Sequence, residues 1–165
     1  TEVITEVETD RSLHIQPDGS IVYRSGTEAT PEISAQEQNP TAAESALGCS
    51  ILLQELTEGL TGEASLYLQS VSESGDSTQL RFGYQLAGTP IRFSDGGSAA
   101  EITLSGTSIT RLTLRFRQYS TTNEQSLLLP LRQTLAIAAD HPGVELSVGY
   151  ADGGGDTVSA SWLAD

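Results

Sequence analysis

Arginine is the residue type whose spacing in this chain first points to chemistry. Arg111, Arg115 and Arg117 alternate with Leu112, Leu114 and Phe116, so a strand over 111–117 carries the cations on one face and the apolar side chains on the other. Arg81 projects in the same way opposite Leu80 and Phe82. A guanidinium is a planar fork of donors that matches a carboxylate, so a row of them suits an acidic or carboxylate-bearing protein partner. The plainer role is cross-strand pairing with Glu or Asp on a solvated face.

Among the other reactive types histidine and cysteine are sparse, whereas serines and carboxylates are plentiful enough to fall in pairs by chance. His14 and His141 are the two histidines, and neither has metal-ligand spacing around it. Cys49 falls on the apolar stripe of a helical pattern with no basic residue within four positions, which suits a buried small hydrophobe better than a nucleophile. No Gly-x-Ser-x-Gly elbow occurs, and the absence of Lys removes both the Ser-x-x-Lys pair and the usual phosphate-binding loop. Asp95-Gly96-Gly97 and Asp152–Asp156 could offer oxygens to calcium. They lack the alternating acids and closing Glu of a calcium loop, and read more simply as turns. No catalytic residue, metal site or cofactor is assigned.

The elements that must position these residues follow from periodicity. Pro17-Asp18-Gly19 between two short apolar runs predicts a β-hairpin over 13–23. Thr41 with Glu44 three residues on is a capping box. Ala42, Ala46, Cys49, Leu53, Leu56 and Leu60 then form one helical stripe, weakened at Gly48 by about 1 kcal/mol relative to Ala. From residue 66 to 119 apolar residues alternate in short runs punctuated by Gly or Pro, the pattern of an antiparallel meander. A second helix is expected between Asn123 and Asp140, with Pro130 in its first turn. A last hairpin over Val144–Tyr150 and Val158–Trp162 closes around Asp152–Asp156. The expected fold class is α+β: a single antiparallel β-sheet meander with two α-helices packed on one face. Residues 1–11 are read as a solvated tether, with an added edge strand as the alternative, and 12–165 as one domain.

Composition bounds the function classes. The 165 residues carry 8 basic and 22 acidic side chains, a net charge of −14 with pI near 4.3. Such a surface repels nucleic acid and anionic membrane. No apolar run approaches the roughly 18 residues of a spanning helix. The chain opens at Thr1 and has no Met, so it is expected to be a mature or trimmed fragment whose targeting segment is gone.

The stretch Phe82-Gly-Tyr84-Gln-Leu-Ala-Gly88-Thr-Pro90-Ile91, then Ala100–Gly106 and Ile109–Phe116, resembles the YycH/YycI-type regulators. The apolar strand ending at Tyr150, the Gly/Asp loop and the strand ending Ser161-Trp162 are similar too, although Ala160-Ser161 stands where that pattern has Pro. The likeness covers mainly residues 80–165. It implies a non-catalytic extracytoplasmic domain, anchored to the membrane in the full-length protein, that regulates a membrane sensor kinase by protein contact. The family offers no catalytic residues to transfer. The rival expectation is a cell-envelope ligand-binding or hydrolytic domain using acidic residues, with calcium as a candidate ion. A purely structural envelope module is the third.

Overall fold

The computed structural model describes residues 2–6, 10–26, 30–35, 37–140, 143 and 146–164, and over them runs of strands separated by two helices make an α+β fold. β1 (Glu2–Glu6) pairs antiparallel with β2 (Arg11–Ile15), so these five residues form an edge strand instead of the expected tether. β2 turns through Pro17-Asp18-Gly19 into β3 (Ser20–Arg24) as predicted. Gly19 takes φ 80°, and Asp18 Oδ1 accepts hydrogen bonds from the Ser20 amide at 3.0 Å and the Ser20 hydroxyl at 2.7 Å.

α1 (Ala42–Thr57) begins at the predicted capping box. The Glu44 amide donates to Thr41 Oγ1 at 3.3 Å, and the Thr41 amide donates to Glu44 Oε2 at 2.8 Å. Its buried line runs through Ser45, Gly48, Cys49, Leu53 and Thr57. The expected stripe is therefore correct in its middle and wrong at its end, where Leu56 and Leu60 are exposed.

The strand array departs from a simple meander. β4 (Ala64–Ser74), β5 (Ser77–Leu86), β6 (Thr89–Phe93), β7 (Ala100–Ser105), β8 (Ser108–Arg115), β9 (Leu146–Asp152) and β10 (Ser159–Ala164) join β1–β3 in one ten-stranded sheet. β5 is the branch point. One edge pairs with β4 along its length, while the other pairs with β7 over Ser77–Phe82 and then with β6 over Tyr84–Leu86. Two short strands thus share one edge of a ten-residue strand, end to end. β9 then pairs parallel with β6, so the sheet is antiparallel only in the main. Gly83 sits at the changeover beneath the Tyr67 and Gln69 side chains, where a Cβ would lie 2.5 Å from Gln69 Nε2.

The core has two parts. Leu80, Phe82, Ile102, Leu104, Leu112 and Leu114 gather beneath Cys49 and Leu53 of α1, with Ile33 at the side. Tyr84, Leu86, Ile91, Ala99 and Tyr119 form the second part over the branch to β6. α2 (Leu131–Ala138) starts only after Pro130, and Thr134 is its buried residue. Its Leu131, Leu135 and Ile137 are each about half exposed.

Gly48 has a role that helix propensity misjudges. A Cβ there would lie 2.9 Å from the Ser34 carbonyl oxygen and 3.1 Å from Ile33 Cβ, a backbone segment that cannot swing aside as a long side chain can. Propensity alone predicts that Gly48→Ala stabilises α1 by about 1 kcal/mol. The packing predicts the opposite sign, a loss of about 1–3 kcal/mol, as for other overpacked core sites. Urea unfolding of the variant decides between the two.

Candidate functional site

β8 buries Ile109, Leu112 and Leu114 and turns Arg111 and Arg115 to its other face. A register shift sets Leu104 opposite Ile109 and Thr103 opposite Arg111, leaving Thr110 as the extra residue of a bulge. Arg117 lies past the end of the strand. The four arginines singled out by sequence are consequently not one row of free cations.

Arg81 and Arg111 share the outer sheet face. Arg81 Nε meets Glu101 Oε1 at 2.9 Å across β5 and β7, with half of the Arg side chain exposed, so the pair contributes only about 0–1 kcal/mol. Arg111 is exposed and stands directly opposite Arg24 of β3. Arg115 and Arg117 enter a cleft of about 580 Å³, together with Asp18, Asp95 and Asp152. Arg115 Nη1 meets Asp95 Oδ2 at 2.8 Å, and its guanidinium lies 4.9 Å from the centre of the Phe93 ring. Asp95 also accepts the Gly97 amide at 2.8 Å, and this bond, then Arg115, holds its carboxyl below the ordinary range.

Arg117 makes the strongest contact. Its Nε and Nη2 donate to Asp152 Oδ2 and Oδ1 at 3.1 and 2.8 Å, a bidentate fork. The Tyr119 hydroxyl donates to Asp152 Oδ2 at 2.7 Å, and the Gly154 amide donates to Oδ1 at 2.7 Å. Nη2 also reaches the Gly155 carbonyl oxygen at 3.2 Å. The Asp152 side chain has no exposed surface. Burial by itself would raise its pKa, but the bonds from Arg117, Tyr119 and Gly154 outweigh burial and hold the carboxyl below the ordinary carboxylate range. Burial and then the same carboxylate push the Tyr119 phenol upward. Tyr84, pushed up to about 12 by burial, packs edge-on to Tyr119 at 5.5 Å and donates its hydroxyl to the Arg115 carbonyl oxygen at 2.6 Å.

This arrangement shapes a frame and leaves little for a ligand to take. A carboxylate has about four lone-pair sites, and four donors already fill those of Asp152. A calcium ion would have to displace Arg117. Among the described residues no group of three His, Cys, Asp or Glu side chains is placed to hold a metal. His14 sits in β2, and His141 lies outside the described residues. Cys49 is fully buried, and burial lifts its thiol to about 12, so it is an inert packing residue. A larger depression of about 1010 Å³ opens between residues 117–127 and 155–160, lined largely by hydroxyl and amide groups such as Ser120, Thr121, Thr122 and Gln125.

Sequence reading missed Asp152 and Tyr119 as a unit. The available signal was an acid closing a strand before a glycine run, and a tyrosine two residues beyond an arginine on the same face. No family model matches the chain, and neither a curated protein nor a solved structure matches it.

The sign of the pH dependence follows from Asp152. Its folded pKa lies below the unfolded value of 3.8, so its contribution is present above about pH 4 and is lost as pH falls through the folded pKa. Asp152→Asn is expected to cost about 2 kcal/mol at pH 7, in the range of hydrogen bonds to charged groups. The gap from wild type should narrow steadily below pH 4. Thermal unfolding of both proteins from pH 7 to pH 2.5 checks this, and a constant gap contradicts it.

Proposed function

We propose that this chain is a non-catalytic interaction domain that acts by contact and, in its cell, regulates a membrane sensor kinase from the extracytoplasmic side. One observation supports a contact role above the others. Leu127 is 98% exposed, and Leu129, Leu131, Leu135 and Ile137 are each more than half exposed, in a run that leads into and along α2. Folded monomers seldom leave contiguous apolar surface of more than a few hundred Å² without using it. The run is held in place: the Trp162 indole donates to the Leu129 carbonyl oxygen at 2.9 Å, and the Ala160 amide donates to Ser126 Oγ at 3.2 Å. These two bonds hold the segment from Ser126 to Leu129 beside β10, and the exposed leucines continue from it into α2.

The satisfied pairing in the cleft favours the same reading. Arg115 and Arg117 answer Asp95 and Asp152, so these groups hold the frame of β6, β8 and β9. The acidic surface disfavours nucleic acid. The kinase as partner class, and the extracytoplasmic location, rest on the resemblance of residues 80–165 to the YycH/YycI-type regulators.

Cross-linking and capture from membranes of the source organism tests the proposal. Wild type is compared with Leu127→Ser/Leu131→Ser/Leu135→Ser and with Arg111→Glu, each checked for folding by circular dichroism. The expected result is a histidine kinase identified with wild type and lost with the leucine variant. Recovery of the kinase by both folded proteins overturns the role of the apolar band. Recovery of no kinase overturns the regulatory reading.

A further inference from the structure

β4 is the longest strand of the sheet and has one partner. It pairs with β5 from Ala64 to Ser74 and lies off the main strand order. Among the described residues, no backbone group from Ser65 to Ser74 hydrogen-bonds outside that pair. Such an edge is a template for another strand, and proteins normally blunt it with Lys, Pro or a cover. β4 has neither residue, and its one irregularity is the register shift between Leu68 and Ser70.

The side of β4 facing α1 is also short of a neighbour. Leu66, Leu68 and Val71 stand opposite Tyr84, Phe82 and Leu80, all three of them buried. Leu68 nevertheless remains 40% exposed, while its cross-strand partner Phe82 is 1% exposed. One more strand beyond β4 would complete this layer.

Charge identifies what would lie there. No basic residue occurs between Arg24 and Arg81. Glu55 and Glu58 near the end of α1, Glu73 on β4 and Asp76 in the following turn are all exposed. Glu73 pairs with Thr78 in the register that places Leu68 and Val71 on the α1 side, so it shares their face. A second copy of this chain would set the same acids against one another, in molecules of charge −14.

We propose that the β4 edge receives an extended, Lys- or Arg-bearing segment of a protein partner, which adds to the sheet as a further strand. Backbone hydrogen bonds give the affinity, and alternate side chains give the selection. The segment places apolar side chains beside Leu68 and Val71, and a cation beside Glu73. This surface is distinct from the apolar band around α2, and the proposal does not depend on that band or on the identity of the kinase.

The probe is a synthetic ten-residue peptide alternating Val and Thr, with Lys at every fourth position, added to the full chain. Hydrogen exchange read residue by residue should show new protection confined to amides of 65–74. Protection should vanish when alternate peptide nitrogens are methylated. Glu73→Lys should weaken binding at least about fivefold, the effect of reversing one exposed charge beside a cation. The Leu127→Ser/Leu131→Ser/Leu135→Ser variant should bind the peptide as wild type does, which separates failure of this proposal from failure of the apolar band. Equal binding of a Glu-bearing counterpart, protection outside 65–74, or no protection at millimolar peptide overturns the proposal. Concentration-dependent dimerisation that buries the same amides overturns it too, in favour of a second copy.

Discussion

The carboxylate of Asp152 joins parts of the chain that nothing local would bring together. It closes β9, yet its donors Arg117 and Tyr119 come from the exit of β8 and the Gly154 amide from the loop that follows. Taking a carboxylate wholly out of water costs several kcal/mol unless its oxygens are bonded, so the four donors must all be in place before burial is tolerable. The same condition fixes the course of the main chain. β8 must leave the sheet so that residues 117 and 119 point the same way, and β9 must lie alongside β6, where the Ser94 amide also donates to the Asp152 carbonyl oxygen at 2.9 Å.

That lock completes the branch created by β5. Beyond Gly83 the strand abandons β7 for β6, and the sheet divides around the Tyr84 ring. Tyr84 touches Phe93 and Tyr119 edge-on, at 6.4 and 5.5 Å between centres, so the aromatic cluster sits directly under the polar lock. Apolar contact and ion pairing therefore constrain the same junction from two sides. The arginines placed there, Arg115 over Phe93 and Arg117 on Asp152, are positioned by the fold and in turn position it.

What was legible in the sequence was local. Pro17-Asp18-Gly19 carries its own turn chemistry, and Thr41 with Glu44 carries its own cap, so both could be read without a partner. The alternation along 80–86 and 102–104 located strands because one face of each is buried. The parallel pairing of β6 with β9 left no such trace, since it joins residues about sixty positions apart. The arginine stripe was visible, but its partners Asp95 and Asp152 each stand directly before a glycine run that reads as a turn. α2 was legible as a helix, but an amphipathic pattern reports only that a face is apolar, and says nothing about what covers it. The exposed leucines leading into α2 and the edge of β4 are left open in this way, while the polar cluster that first invites a chemical role is engaged in holding the sheet.

The claim that the Arg117–Asp152 contact is a structural tie has a direct test in a double-mutant cycle. Arg117→Ala, Asp152→Ala and the double variant are unfolded in urea at pH 7 beside wild type. A tie predicts a coupling energy of about 1–3 kcal/mol, with the double variant no worse than Asp152→Ala alone. Additivity within about 0.5 kcal/mol would contradict it and return the buried carboxylate to the list of groups available for a ligand.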